Sequence, residues 1–397
     1  MGPREDYRVR PGRVIRTRER FDGRRRYGAL MLASHVAHRR VDSAHRGPRT
    51  RWGGVRCKLI SVVGVSSREL AQRHRNLHRV VGEGDGEEAW LSPALEALVR
   101  GDRESLSTFL HTVGSPIGLE ATRASCRTHW VVLDANGRPK VKALALRLAD
   151  EVIHYCVPRS KIEDALAHRD ETGSLSKLMR LQREAQELFS RLDNSGEGGE
   201  LLLYFLMELE LGIPQILCKM SLKTNSQMHI HGVDGVHAEL LEDERLAVYW
   251  GESKVYDSFS TALSACFNSI ELYLNDDGAG PLQRDIHLVR DNIDAGNRGV
   301  TLALARYFDN DNPESNQLEV RGACLIGFSQ SEYRSPFEAD SVKVKAAVTE
   351  LMTDWQSKIG QRIKDKNIAH FHIEVFCVPV PSAQDFRDAM KEALRLQ

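Results

Sequence analysis

The 397-residue sequence lacks several features that would assign it to a common class of protein. No run approaches the roughly 18 uninterrupted apolar residues of a membrane span, and the N-terminus lacks the apolar core of a secretory signal. We therefore expect a cytoplasmic protein with no membrane partner. The sequence also lacks a Gly-rich phosphate loop of the G-x-x-x-x-G-K-[ST] type and any internal repeat, which argues against an ATPase.

Cysteine is sparse and scattered along the chain. The seven cysteines are odd in number and never form a C-x-x-C pair. This spacing argues against both a disulfide framework and a zinc ribbon. We expect the thiols to be reduced and mostly buried.

The net charge of zero conceals an uneven distribution of charge. Residues 1–75 hold 20 Lys+Arg and 6 Asp+Glu, whereas the rest of the chain holds 35 and 49. A basic segment of about +14 thus precedes an acidic body of about −14. This segment is rich in Arg, Gly and Ser, which predicts a disordered extension. Such an extension would also result if the start codon were assigned upstream of the real one. Two alternatives stay open, a phosphate-neutralising nucleic-acid arm and an Arg-rich organelle presequence.

The remainder alternates between helix and strand patterns, which indicates an α/β (α+β) body with a mixed central sheet flanked by helices. We expect three regions: the extension at 1–75, an N-terminal α/β part at 76–192 and a core at 193–397. Residues 128–158 predict two or three strands with a turn at Asn136-Gly137. In the core, residues 196–212 form an apolar helix pattern that is typical of a buried helix.

A β-hairpin is predicted directly after this helix. With residues 242–244 as its loop, every apolar residue meets another, because Leu240 pairs with Leu246, Ala238 with Val248 and Val236 with Trp250. A slip by one residue would turn the opposite set inward, so burial favours this register. The register also places Asp234 beside Glu252 on the core-facing side, at the end of the sheet.

Two neighbouring buried carboxylates repel each other unless a cation or proton compensates their charge. Mg²⁺ (or Mn²⁺) prefers oxygen ligands and is typically held by one or two carboxylates together with water and phosphate. Lys254 lies two residues beyond Glu252 on the same face, where it could orient or help deprotonate a bound water and contact a phosphate oxygen. The competing interpretation of Glu-x-Lys is a solvated edge pair worth under about 1 kcal/mol.

A third carboxylate lies on the preceding helix. Glu200 shares an inward stripe with Tyr204 and Met207, whereas Glu197 belongs to a neighbouring stripe and is the weaker candidate. The sequence alone does not separate the two. Lys219 and Lys223, just before the hairpin, are expected to neutralise substrate phosphates near the same end of the sheet.

Histidines offer a rival interpretation. His229 and His231 alternate along the chain and His237 follows, which makes a zinc site conceivable. No cysteine or further histidine lies nearby at helical i,i+4 spacing. We expect His229 or His231 to line the cleft and contact substrate, or to satisfy hydrogen bonds at a sheet end.

The order of Glu200, Asp234 and Glu252-Ser253-Lys254 resembles the PD-(D/E)XK nuclease superfamily, although Val233 stands where that motif has proline. The letters between 197 and 256, above all HIHGVDGVH and YWGESKVY, resemble the HamA family, the nuclease subunits of the Hachiman anti-phage defence system. The resemblance extends over about residues 90–397.

This resemblance implies a restriction-endonuclease-like core at 193–397 and a metal-dependent DNA nuclease in antiviral defence. A superfamily-2 helicase, HamB, would be its partner and would supply all use of ATP. By the resemblance, Glu200, Asp234, Glu252 and Lys254 would be catalytic, and Ser253 would join the three carboxylates around the metal.

Two other functions stay open. The first is a non-catalytic nucleic-acid-binding or adaptor subunit of a helicase complex. The second is a restriction-type nuclease that reads its own target sequence, but no recognition domain is recognisable in the sequence.

Overall fold

The computed structural model describes residues 90–189, 196–223, 232–333 and 341–396, with the side chains of a few of them left aside. The predicted extension at 1–75 lies outside these residues, as do His229 and His231. The first part of the described chain comprises α1 Leu91–Glu96, α2 Arg103–Leu106, β1 Leu110–Thr112, β2 Ile117–Gly118, β3 Arg123–Val131, α3 Val141–Asp150, α4 Val152–Cys156, α5 Arg159–Thr172 and α6 Ser176–Glu187.

The second part contains the hairpin and most of the sheet. It comprises α7 Glu197–Leu206, β4 Gln215–Leu217, β5 Gly235–Leu240, β6 Leu246–Tyr256, α8 Phe259–Leu274, α9 Pro281–Asn292, α10 Arg298–Tyr307, β7 Leu318–Ser329, α11 Ser341–Asp365, β8 His372–Val380 and α12 Ala383–Leu396. A π-helical turn, Met207–Leu211, extends α7.

The strands form one mixed sheet in the order β1-β3-β8-β7-β6-β5-β4, with β2 also paired to β3. The central strands β3, β8, β7 and β6 run parallel, whereas β5 and β4 continue the sheet antiparallel to their neighbours. The predicted α/β class with a mixed central sheet is therefore confirmed. The order of α7, antiparallel β4-β5-β6, α8 and parallel β7 is compatible with a PD-(D/E)XK core.

Helices cover both faces of this sheet. Successive residues of a strand point to opposite faces. On β6, Gly251 faces Leu203 of α7, whereas Trp250 stacks on Tyr273 of α8 with ring centroids 6.0 Å apart. Helices α3 and α12 pack with α7, and α11 packs with α8. Among the described residues, no helix is both long and apolar enough to cross a membrane.

The predicted hairpin register is confirmed. Leu240 pairs with Leu246, Ala238 with Val248 and Val236 with Trp250. The loop at 242–244 is closed by the Leu241 amide, which donates to the Arg245 carbonyl at 2.8 Å. All three pairs lie in the core except the partly exposed Leu240, so burial does select this register.

The strand prediction for residues 128–158 is wrong in its second half. The turn forms, with the Asp134 carboxylate accepting from the Asn136 and Arg138 amides at 2.8 and 2.9 Å. After it, however, the chain forms helices α3 and α4. Leu144, Ala145, Leu148 and Ala149 are fully buried at helical spacing, and Ala and Leu are strong helix formers. The 3.6-residue period therefore prevails over the strand-like run of apolar letters.

The division into an N-terminal part at 76–192 and a core at 193–397 stays a prediction. The pairing of β3 with β8 joins strands from both sides of that boundary in one sheet. The buried helix predicted between Leu201 and Met207 is confirmed, since every residue of that span is at most 2% exposed.

Close contact of α7 with the hairpin depends on glycine at position 251. A Cβ added there would lie 3.1 Å from Leu203 Cδ2 and 3.2 Å from the main-chain oxygen of Gly235. The backbone of β5 cannot give way without shifting the strand, and overpacking costs about 1–3 kcal/mol.

We expect Gly251→Ala to lower the free energy of unfolding by about 1–3 kcal/mol, because the new methyl group presses on β5 and α7. Guanidinium unfolding followed by circular dichroism measures the change. Gly118→Ala is the matched control, since Gly118 also lies in a strand but a Cβ there would have no neighbour within 4 Å. Equal midpoints for the two variants would contradict the packing argument.

Candidate active site

Asp234 lies immediately before the first residue of β5, at the point beyond which β6 has no strand partner on that side. The last pair of the hairpin is Gly235 with Gly251, and the Asp234 amide still donates to the Gly251 carbonyl at 2.7 Å. Beyond it, Asp234 Oδ2 accepts from the Ser253 amide at 2.7 Å and from the Ser253 hydroxyl at 2.8 Å. The carboxylate thus accepts the hydrogen bond that the next main-chain carbonyl of a paired strand would accept. It lies at the edge of the sheet, between the two faces.

Glu252 and Lys254 approach Asp234 from the face covered by α8. Glu252 is only 4% exposed, and Lys254 Nζ forms an ion pair with its Oε1. Lys254 Nζ also donates to the Ser253 carbonyl at 3.2 Å. The predicted shared face of Glu252 and Lys254 is therefore present. Strand pairing ends at Gly235 with Gly251, one residue short of the predicted pair of Asp234 with Glu252, although the charge of Asp234 acts on Glu252.

Glu200 approaches from the opposite face, in the first turn of α7. Its Oε2 accepts from the Tyr155 hydroxyl at 3.1 Å, and the same hydroxyl lies 3.2 Å from the main-chain oxygen of Asp234. Tyr155 is 1% exposed, so it fixes Glu200 and the start of β5 together. We refer to Glu200, Asp234 and Glu252 as the acidic cluster.

Glu197 belongs to a separate ion pair. Lys223 Nζ lies 2.5 Å from Glu197 Oε1, and both side chains are largely buried. The structure therefore brings Glu200, rather than Glu197, to Asp234. Lys219 Nζ donates to the Val233 carbonyl at 2.5 Å. In this arrangement both lysines make contacts within the protein, and their predicted role toward phosphates stays a prediction.

The acidic cluster carries more negative charge than its surroundings compensate. Burial and then the charge of Asp234 raise the pKa of Glu200 to about 8, against the opposing effect of Lys219. The same two causes raise the pKa of Glu252 to about 7, although Lys254 opposes them. Burial by itself would lower the pKa of Lys254, but the charges of Glu252 and Asp234 outweigh it and raise that pKa. Lys254 is therefore a firmly protonated cation here, which argues against a role as a base.

The cluster opens onto a cleft of about 630 Å³ at the C-terminal end of β6. Its lining includes Glu200 and Asp234, Ser253 to Tyr256 of β6 with the following Asp257, and one side of α12. Ligands of sheets that contain parallel strands bind beyond the carboxyl ends of those strands. The cleft has that position relative to β6.

The donor set of the cluster suits a hard divalent cation. Three carboxylates and the Ser253 oxygens are all oxygen donors of the kind that Mg²⁺ and Mn²⁺ prefer. Within the described ranges, no group of three Asp, Glu, His or Cys side chains is already gathered at metal-binding distance. Ser253 occupies one oxygen of Asp234, and Lys254 occupies one oxygen of Glu252. The chemistry of the residues fits the ion, and the surplus charge would favour it.

The histidines show a different pattern. His237 is buried, its Nδ1 lies 3.0 Å from the Ile213 carbonyl, and burial lowers its pKa to about 4. It is a neutral core histidine. His229 and His231, the other two members of the zinc alternative, lie outside the described residues.

Two residues of the site, Tyr155 and Arg387, were not predicted from the sequence. Tyr155 was hidden by the wrong strand prediction, although its helical spacing from Val152 and Glu151 could have placed it on a buried face. Arg387 of α12 lines the cleft more than 130 residues after Lys254, and no local pattern connects the two.

Fold and site together define an α/β protein with an acidic cluster and an adjoining lysine at the end of a sheet. The family model HamA matches residues 108–394, which is most of the chain, so the chain belongs to the HamA family. Membership of this family implies a role in Hachiman anti-phage defence. No curated protein matched the chain.

The raised pKa of Glu200 predicts a stability that depends on pH. The folded state keeps a proton that the unfolded chain releases above its ordinary value of 4.5, so stability falls as pH rises from there through about 8. In metal-free buffer at pH 8.5 we expect the free energy of unfolding of Glu200→Gln to lie about 5 kcal/mol above that of the unsubstituted protein, since the shift of the pKa from 4.5 to about 8 contributes about 1.4 kcal/mol per unit. At pH 4 the two proteins should agree.

Guanidinium unfolding at both pH values measures this difference. Glutamine still offers an oxygen to the Tyr155 hydroxyl, so the hydrogen bond is preserved. Glu187→Gln is the control, because Glu187 is an exposed residue of α6. A stability gain that is the same at pH 4 and pH 8.5 would show that titration of Glu200 is not its cause.

Proposed function

We propose that the chain is a metal-dependent DNA nuclease that hydrolyses phosphodiester bonds. The observation that carries the proposal is the position of Asp234, whose carboxylate lies between Glu200 on one face of the sheet and Glu252 on the other. A lysine adjoins this cluster, and a cleft opens onto it. Family membership supports a role in defence, and the site supports the chemistry.

Each residue has a distinct role in this proposal. Asp234, Glu252 and Glu200 would hold Mg²⁺ or Mn²⁺, with a Ser253 oxygen completing the donor set. When bound, the ion would polarise the phosphoryl group and make a water molecule nucleophilic at neutral pH. Lys254 stays protonated, so it would position the attacking water and stabilise negative charge that develops on the phosphate.

Tyr155 and Ser253 would act through the carboxylates. The Tyr155 hydroxyl holds Glu200 toward Asp234, and the Ser253 amide and hydroxyl hold Oδ2 of Asp234. Both contacts fix the direction in which the carboxylates present their remaining oxygens. Removal of Tyr155 would loosen the cluster without removing a ligand.

The proposed setting is the cytoplasm, where the nuclease would act with a partner helicase of superfamily 2 during phage infection. The partner would restrain the nuclease until invading or damaged DNA is sensed. The acidic composition of residues 76–397 supports this dependence, because a net negative body by itself attracts DNA poorly.

Incubation of the purified full chain with supercoiled plasmid and Mg²⁺ or Mn²⁺, with and without the helicase, tests the activity directly. We expect Glu252→Gln and Lys254→Ala each to reduce the cleavage rate at least about 100-fold. The first removes a carboxylate that would hold the ion, and the second removes a cation that would stabilise negative charge in the transition state. Lys366→Ala is the matched control, since it breaks a comparable pair, Lys366–Glu271 at 2.6 Å, outside the cleft.

Unchanged DNA under all these conditions would overturn the nuclease proposal. The adaptor alternative makes a separate prediction for phage protection in cells, which should then survive Asp234→Ala. Loss of protection in Asp234→Ala, with the protein still folded, would instead support catalysis.

Binding of the ion has a readout besides cleavage. A ligand that binds only the folded state stabilises it by RT ln(1 + [L]/Kd), about 2.7 kcal/mol at a concentration 100 times Kd. We expect Mg²⁺ to raise the thermal midpoint of the protein, and Asp234→Asn to abolish that increase. An equal increase in both proteins would show that the ion binds elsewhere.

A further inference from the structure

The cleft has a wall that the proposed chemistry does not use. Arg387 and Lys391, one turn apart on α12, line it together with Tyr256 at the end of β6. Glu200 and Asp234 line the same space from α7 and the start of β5. A cationic and aromatic wall therefore borders the space onto which the acidic cluster opens.

Arg387 is tied to the strand that carries the cluster. Its Nη2 donates to the Val255 carbonyl at 2.7 Å, and its Nη1 donates to Gln384 Oε1 at 3.2 Å. Val255 directly follows Lys254, so the guanidinium keeps a fixed position relative to Glu252 and Lys254. Both acceptors are neutral and use two of the five N–H donors. The charge of the guanidinium and its remaining donors suit a phosphate group, which Arg binds in a planar, bidentate manner.

Tyr256 adds an exposed aromatic ring to the lining of the cleft, on the face of β6 opposite to the Val255 side chain. It is 37% exposed, although it ends a strand that is otherwise mostly buried. Tyr256 has the same parity on β6 as Glu252 and Lys254, so the three side chains share a face. Aromatic rings on which bases stack, combined with cations that contact the backbone, are typical of proteins that bind unpaired nucleic acid strands.

The size of the cleft also favours an unpaired strand. About 630 Å³ is the size of a site that encloses one small ligand. A DNA duplex is too wide to be enclosed in such a space, since its major groove alone is about 12 Å wide. A single strand presents its nucleotides one after another and can enter.

We propose that this cleft takes an unpaired DNA strand, with a phosphate bound to Arg387 and a base stacked on Tyr256, so that a neighbouring phosphodiester reaches the acidic cluster. This inference rests on the proposed nuclease function and names the form of its substrate. Arg387 is a substrate-binding residue here, and Tyr256 sets the preference for bases that are free to stack.

Fluorescence anisotropy of the full chain with a labelled single-stranded oligonucleotide and with its blunt duplex, without divalent ions, tests the binding step. We expect the single strand to bind about tenfold more tightly. Arg387→Gln and Tyr256→Ala should each weaken single-strand binding about tenfold, whereas Arg387→Lys and Tyr256→Phe should retain most of it. Arg387→Gln should also reduce the slope of log K against log salt by about 0.7, the value for one phosphate contact with a single strand.

Lys142→Gln is the matched control for charge. Lys142 lies in α3 and forms an exposed ion pair with Glu392 of α12, and neither residue lines the cleft. The substitution therefore removes one positive charge close to α12 but away from the cleft. Equal affinities for single strand and duplex, or an Arg387→Gln that behaves like Lys142→Gln, would overturn the inference. Both Arg387→Gln and Arg387→Lys perturb the hydrogen bond to the Val255 carbonyl. The unfolding midpoints of both variants are therefore compared with that of the unsubstituted protein, to show that weaker binding does not result from a loss of fold.

Cleavage separates this inference from the proposed function. If the chain cleaves DNA, Arg387→Gln should raise KM for the single strand about tenfold with little change in kcat. Cleavage with unchanged KM would sink the inference and leave the nuclease function standing. Preferred binding of the single strand without any cleavage would support the inference about the cleft while the proposed chemistry fails.

Discussion

The site depends on one hydrogen-bonding constraint, the point at which β5 stops pairing with β6. Strand pairing ends at Gly235 and Gly251, yet β6 continues to Tyr256. The amide of Ser253 on that edge would be left without a partner, and a buried amide needs one. Asp234 supplies its carboxylate instead. The central carboxylate of the acidic cluster is thus held by a backbone donor that the sheet itself leaves available.

This arrangement brings charges together that the fold must tolerate. Glu200 and Glu252 approach Asp234 from opposite faces, and both acquire raised pKa values of about 8 and about 7 from burial and from Asp234. Lys254 and Lys219 offset part of the repulsion. A protein selected only for stability would gain from replacing these acids with apolar residues, because buried charge is costly even when it is paired. Their retention in a cleft is a physical reason to assign them a function.

Close packing places the two halves of the site in contact. Gly251 lets α7 approach the hairpin, and the buried Tyr155 links α4 with Glu200 and with the start of β5. On the other side of the cleft, the bond from Arg387 to Val255 attaches α12 to β6. The acidic cluster and Arg387 are therefore fixed to the same hairpin of β5 and β6, although their residues come from distant parts of the chain.

The hairpin register, the buried helix before it and the shared face of Glu252 and Lys254 could be predicted from the sequence. These features follow from local periodicity, because a slip by one residue would expose Val236, Ala238 and their partners. The helices at 141–156 could not be predicted from the same letters, since short apolar runs are compatible with both periods.

Tertiary structure alone decided between Glu200 and Glu197 and brought in Tyr155 and Arg387. Two glutamates one turn apart on a helix differ only in what packs against them, and here Lys223 takes Glu197 whereas Tyr155 takes Glu200. Such contacts join residues that are 26 and 45 positions apart, a separation at which no periodicity in the sequence carries information. The sequence by itself determined the strand that bears the site, and long-range packing determined which side chains meet there.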